Sequence, residues 1–188
     1  MRAIEEMMHH AKQKPARVLC ADPPWSFSDR LPGPKRGASK HYPCMTVDQI
    51  ARFPLPVLAD DAVLILWKVA AMPDEALFVA KAWGFKPKAE LVWVKTKNGH
   101  KYAPRMGMGR TVRNVHETAI IATRGRPTRS SASEPSVIFA PRAEHSAKPD
   151  ASYELIERLY PGPYVELFAT RERKGWTSFG NGVGKPTP

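Results

Sequence analysis

Cysteine is scarce: the 188-residue chain has two, Cys20 and Cys44. So few, so far apart, exclude a disulfide scaffold and fit a reducing compartment, so a cytoplasmic protein is expected. Long apolar runs are also missing. No stretch approaches the ~20 uninterrupted apolar residues of a transmembrane helix. The N-terminal MRAIEEMMHHAKQK is charged and amphipathic, without the apolar centre of a signal peptide. There is no internal repeat and no heptad run. Acids are in deficit, with 18 Asp and Glu against 29 Lys and Arg and a net charge of +11. That surplus favours a polyanionic partner, either nucleic acid or an anionic membrane surface. His41, His116 and His145 are too scattered to make a metal site, and Cys44 beside His41 reads as a loop cysteine, so no metal is expected.

What remains is an ordinary globular composition, 43% apolar, in a chain sized for one domain. A single domain over 1–188 is expected, with a core at about 17–183, a short N-terminal helix over 3–12 and a flexible tail over 182–188. Apolar runs at Arg17–Ala21, Ala62–Trp67, Glu90–Val94, Thr118–Ala122, Val137–Ala140 and Val165–Phe168 read as buried strands. Thr46-Val47-Asp48-Gln49 has capping-box spacing and should open a helix running to about Phe53. Pro73–Trp83, closed by Gly84, and Asp150–Leu159 read as further helices. Strands alternating with helices predict an α/β fold, a Rossmann-like, doubly wound and mostly parallel sheet. Ligands of such sheets bind beyond the carboxyl ends of the strands. Trp67, Trp83 and Trp93 are expected in the core.

Asp22-Pro23-Pro24-Trp25 sits immediately after the first strand. For a bare Asp-Pro-Pro a turn cap is the commoner explanation, but the added Trp25 and the position favour chemistry. The 6-amino group of adenine is a poor nucleophile, because its lone pair is delocalised into the ring. A catalyst must accept hydrogen bonds from its two hydrogens and hold the base flat. The Asp22 carboxylate and the Pro23 carbonyl can accept, the prolines stiffen the turn, and Trp25 offers a face for stacking. Direct in-line methyl transfer then needs mainly positioning and electrostatics.

Further segments carry a family pattern in order: His41-Tyr42-Pro43-Cys44-Met45-Thr46, Ala82-Trp83-Gly84-Phe85, Val92-Trp93-Val94-Lys95 and Gly109-Arg110-Thr111-Val112-Arg113-Asn114. After them come His145-Ser146-Ala147-Lys148-Pro149-Asp150, Glu166-Leu167-Phe168-Ala169 and Gly175-Trp176 to Gly180-Asn181. With the Asp-Pro-Pro-Trp motif, the set resembles the adenine N6-methyltransferases related to the eukaryotic messenger-RNA methyltransferase (METTL type), bacterial and phage members included. The resemblance covers roughly Arg17 to Val183. It implies an S-adenosylmethionine-dependent methyltransferase fold with Asp22, Pro23, Pro24 and Trp25 catalytic and Tyr42 near the target base. Lys148 would bind the methionine carboxylate of S-adenosyl-L-methionine, Gly180 and Asn181 its adenosine and Arg171 its ribose, with Asp22 also near the cofactor. The spacing over Ala169 to Arg173 departs from the family and leaves Thr170 as an alternative to Arg171. The family's cofactor loop ahead of the first strand has no counterpart here.

Two basic clusters flank the motif. One is Lys35, Arg36 and Lys40. The other is Lys95, Lys97, Lys101, Arg105, Arg110, Arg113, Arg124, Arg126 and Arg129, where Glu117 is the one acid. Glycines and a proline make Lys97 to Arg113 read as a flexible loop. Lys35, Arg36, Lys40, Lys97, Lys101, Arg105, Arg110, Arg113 and Asn114 are expected around an extruded adenine and its phosphates. DNA is favoured over RNA for a compact chain without an evident recognition domain, and a homodimer is expected because one small domain offers little surface to a duplex. The rival readings are an RNA N6-adenosine methyltransferase and a non-catalytic nucleic-acid-binding partner of the same fold. A small-molecule amine methyltransferase explains the basic loops poorly.

Overall fold

The computed structural model describes residues 14–26, 44–97, 100–107, 111–142, 147–181 and 183. The expected helix over 3–12 and most of the tail over 182–188 lie outside the described residues. Eight strands and three helices follow in the order β1 (Ala16–Ala21), α1 (Val47–Ala51), β2 (Leu58–Lys68), α2 (Pro73–Ala82), β3 (Lys86–Lys97), β4 (His100–Pro104), β5 (His116–Arg124), β6 (Val137–Pro141), α3 (Asp150–Leu159), β7 (Tyr164–Leu167) and β8 (Trp176–Phe179).

One sheet runs β8-β7-β1-β2-β5-β3, with β4 and β6 both paired to β3. Pairing is parallel for β1 with β2 and β7, for β7 with β8 and for β3 with β6. β5 is antiparallel to both its neighbours, and β4 to β3. Six strands therefore point one way, and the sheet is mostly parallel, as expected. Strict alternation of strand and helix fails between β3 and β5. Among the described residues no helix stands between β3 and β5, and there the chain pairs antiparallel, as short connections permit. The stretch from Lys97 to Arg113 is likewise not all loop: it holds β4, which pairs Lys97 with His100 and Thr96 with Pro104.

Side chains alternate between two covered faces. Leu19, Ala21, Leu64, Leu66, Ile120 and Ala122 turn to α1 and α2, joining Ile50, Ala76, Val79 and Ala80. Val18, Cys20, Val63, Ile65, Trp67, Trp93 and Ala119 turn to α3, joining Tyr153, Leu155 and Ile156. Trp67, Trp83 and Trp93 fill the core as expected. The capping box at Thr46 is present in full. It fixes a five-residue helix whose Ile50 carbonyl accepts the indole N–H of Trp83 at 3.1 Å, tying α1 to the end of α2. Gly84, at φ +83, turns the chain from α2 into β3.

This topology collects one end of the sheet. The carboxyl end of β1 leads into Asp22, and the segment between β6 and α3 carries Lys148. β5, running the other way, delivers its first residues there. Among the described residues no helix is long and apolar enough to cross a membrane.

Candidate active site

Period-2 alternation brings four separated residues onto one face. Asp22 lies two beyond Cys20, Lys95 two beyond Trp93 and Glu117 two before Ala119, and Trp67 is itself on that face. Lys148 enters from the front of α3. Its Nζ lies 2.6 Å from Asp22 Oδ2 and 3.0 Å from Glu117 Oε2, and 5.1 Å above the Trp67 ring. Lys95 Nζ lies 2.6 Å from Glu117 Oε1. The result is an alternating row, Lys95, Glu117, Lys148, Asp22, with Lys148 only 9% exposed.

Burial works against the charge on Asp22, Glu117 and Lys148, and their oppositely charged partners oppose it. Burial pushes the Asp22 carboxyl above its ordinary value, Glu117 adds to this, and Lys148 opposes it. Burial likewise works against the Lys148 ammonium, but Asp22 and Glu117 outweigh it and hold its pKa up. Glu117 is buried too, yet Lys148 and Lys95 bring its pKa down to about 2.

The motif turn is pinned by its own backbone. Trp25 N–H donates to the Pro23 carbonyl at 2.8 Å, Met45 N–H to the Pro24 carbonyl at 2.8 Å, and Ser26 N–H to the Met45 carbonyl at 2.9 Å. The Pro23 oxygen keeps one lone pair for another donor. Trp25 differs from the expectation of an open stacking face. It is 5% exposed, packs with the α1 and α2 cluster, and donates its indole N–H to the Trp67 carbonyl at 3.0 Å. A large aromatic with one polar tip gains most by burying its body where that tip finds an acceptor. Trp25 therefore braces the turn.

The other rim is the meeting of β7 and β8. Phe168 takes a positive φ of 64°, and the Ala169 N–H returns to the Phe179 carbonyl at 3.0 Å. A Cβ on Gly180 would strike the backbone of Ala169, so glycine lets the two segments cross there. Asn181 follows in an exposed turn. Ser178 Oγ is buried without a partner, beside Glu166, whose carboxylate accepts from Tyr153 Oη at 2.6 Å.

Residues 16–182 match the MT-A70 family model. The chain belongs to the MT-A70 family. It is similar to the human catalytic subunit METTL3, an N(6)-adenosine-methyltransferase, at 30% identity over 87% of this chain and 27% of that one. A probable MT-A70-like N(6)-adenosine-methyltransferase of Oryza sativa subsp. japonica is 29% identical over 87% of this chain and 22% of its own length. The type II methyltransferase M.MunI of Mycoplasma sp is 25% identical over 94% of this chain and 82% of its own. The chain thus spans about a quarter of the length of the adenosine methyltransferases it matches.

The structure joins Asp22 to Lys148 and places Gly180 and Asn181 just beyond β8. Arg171 is exposed and paired with Asp150 in the first turn of α3. Arg173 shares that Asp150 at 2.7 Å, reaches Glu157 at 3.3 Å and lies 4.7 Å over the Tyr153 ring. Lys97 and Arg105 are exposed at the ends of β3 and β4. Arg113 is exposed but donates from Nε to the Gly107 carbonyl at 2.6 Å. Asn114 is exposed, and its carbonyl accepts the Gly107 N–H at 2.9 Å. Lys101 lies on β4 with its side chain outside the described residues. Lys35, Arg36, Lys40, Tyr42 and Arg110 lie outside them altogether. Sequence reasoning missed Glu117 and Lys95 as site residues. The signal for Glu117 was its standing as the one acid in a long basic stretch.

Proposed function

We propose that the chain is an S-adenosylmethionine-dependent methyltransferase acting on the 6-amino group of adenine in nucleic acid. The observation carrying this reading is the Asp22–Lys148–Glu117 ion array set directly on the Asp-Pro-Pro-Trp turn in a chain of the MT-A70 family. S-adenosylmethionine supplies a methyl group made electrophilic by its sulfonium. The residues fit such a ligand. Lys148, a buried ammonium that already holds two carboxylates, suits a third at the methionine end. The partnerless Ser178 hydroxyl, next to Gly180 and Asn181, suits the polar edge of a nucleoside. Arg171 is read as the ribose contact at the rim.

Asp22 and the free lone pair of the Pro23 carbonyl accept hydrogen bonds from the amino group and direct its nitrogen lone pair outward. Lys148 keeps Asp22 in place through the 2.6 Å contact. Glu117 acts through Lys148 and is a positioning residue. The exposed cations Lys97, Arg105 and Arg113 hold phosphates without reading sequence, and Tyr42, Lys35, Arg36, Lys40, Lys101, Arg110 and Asn114 are assigned to the same polyanion.

DNA is the proposed target, supported by the similarity to the type II methyltransferase M.MunI, with RNA as the alternative that the adenosine methyltransferases suggest. We read the chain as a single cytoplasmic domain that works as a homodimer. Light scattering with and without DNA tests the dimer, and a monomer in both overturns it. The deciding experiment is transfer of tritiated methyl from S-adenosylmethionine to adenine-containing duplex DNA, single-stranded DNA and RNA by wild type and Asp22→Ala. N6-methyladenine that disappears with the variant is expected, and the best substrate separates DNA from RNA. Cofactor binding without transfer to any substrate would favour the non-catalytic reading, against which the intact Asp22 already stands.

A further inference from the structure

The two most exposed large apolar side chains among the described residues are Val112, 68% exposed, and Met106, 59%. Both stand on the connection from β4 to β5, on either side of the rung in which Gly107 N–H donates to the Asn114 carbonyl at 2.9 Å. The rung is tight: a Cβ on Gly107 would collide with that same Asn114 oxygen. Arg113 closes it further through its 2.6 Å bond to the Gly107 carbonyl. At its base, Lys95 donates its N–H to the Val115 carbonyl at 2.8 Å and accepts the Arg105 N–H at 2.7 Å. The side chain of Lys95 ends on Glu117, which ends on Lys148. Residues 105–107 and 113–115 are therefore fastened to the charge array that holds Asp22.

Single exposed apolar side chains are ordinary on a protein surface, but these two flank one backbone rung among cations. Here their immediate neighbours are the exposed cations Arg105 and Arg113, in a chain of net charge +11. That combination fits a duplex better than an apolar protein groove, since the cations meet phosphates while the apolar tips enter the base stack. We propose that Met106 and Val112 form a wedge that enters a nucleic-acid duplex and fills the stack beside the adenine presented to Asp22. An adenine inside a duplex cannot reach the motif, so it must be turned out, and an apolar occupant of the gap lowers the cost of that step. The wedge rests on the nucleic-acid reading above, but binding tests it without any methyl transfer.

The test compares wild type, the double variant Met106→Ala/Val112→Ala and the conservative pair Met106→Leu/Val112→Ile. One arm is the fluorescence of 2-aminopurine placed at adenine positions in duplex DNA, which rises on unstacking. Wild type and the conservative pair should raise it at saturating protein, and the alanine pair should not. The other arm is methyl transfer. The alanine pair should lose roughly 10- to 100-fold on duplex and much less on single-stranded DNA, where no stack needs opening. Equal fluorescence, or equal loss on both substrates, overturns the wedge. So does conversion of a dimer to a monomer by the alanine pair, which would give these side chains to a second copy. A fluorescence rise from wild type without methyl transfer keeps the wedge and overturns the catalytic reading.

Discussion

Glu117 is the residue on which the row of charges turns, since it is shared by Lys95 and Lys148. Its pKa lies at about 2 instead of 4.5, so the folded state prefers it charged. A depressed carboxylate contributes stability above its ordinary pKa, and the contribution fades as pH falls from 4.5 towards 2. Glu117→Gln should cost on the order of 2 kcal/mol at pH 7, discounted for partial solvent screening. Urea denaturation of both proteins should show that difference shrinking between pH 5 and pH 3, and a constant gap would disprove the coupling. Methyl transfer should fall about tenfold, because Lys148 loses one of the two carboxylates that fix it. Glu117→Asp should recover part of that loss, which a purely structural defect would not allow. Trp25→Phe probes a different contact. It keeps the apolar body and deletes the bond to the Trp67 carbonyl, leaving a buried oxygen without its donor at a cost of about 1–3 kcal/mol in thermal or urea unfolding.

At the scale of elements, two short devices place the site. The capping box of α1 satisfies orphan N–H groups on a helix of only five residues. Thr46→Ala should lower stability by about 1 kcal/mol, read as a lower urea midpoint at an unchanged slope. Gly180→Ala should act where the segments that follow β7 and β8 approach each other. The added methyl would force the Ala169 backbone away, cost about 1–3 kcal/mol and weaken cofactor binding, which calorimetric titration would detect. How legible each element was follows from its signal. α3 was read with its observed bounds because Pro149 and Tyr160 stop it on both sides of an amphipathic run. β1 and β2 were clear because strands covered on both faces are continuously apolar. The direction of β5 left no trace in its own residues, since direction is set by the path of the connections and not by the strand's own pattern. β4 was hidden by the glycines around it, which the sequence offers equally to a loop or a hairpin. Asp22 and Lys148 were each singled out from the sequence as candidate site residues, 126 positions apart. Their direct contact was not, because only the sheet brings the carboxyl end of β1 against the start of α3. Trp25 was misplaced for a related reason: a motif reveals residue types but not which face of the sheet each one turns to.

Across the whole molecule, 29 basic residues outnumber 18 acidic ones. Inside the site the charges cancel in pairs, Lys95 with Glu117 and Lys148 with Asp22. On the rim they do not: Lys97 and Arg105 are exposed at the ends of β3 and β4. On the proposed function, the paired charges should leave methyl transfer insensitive to salt, whereas the unpaired cations should make nucleic-acid binding strongly sensitive to it, because each neutralised phosphate releases a counterion. Binding should therefore weaken linearly on a plot of log affinity against log salt concentration, with a slope of about −0.9 per phosphate held. Lys97→Ala/Arg105→Ala should make that slope shallower by about 1 to 2 and weaken duplexes of different sequence to the same degree. Asp22→Ala should leave the slope unchanged while removing transfer, since the proposed function assigns Asp22 to the base and not to the backbone. Fluorescence anisotropy with two unrelated duplexes at several salt concentrations separates these outcomes. A slope unmoved by the double variant would place the phosphate-binding surface elsewhere on the molecule.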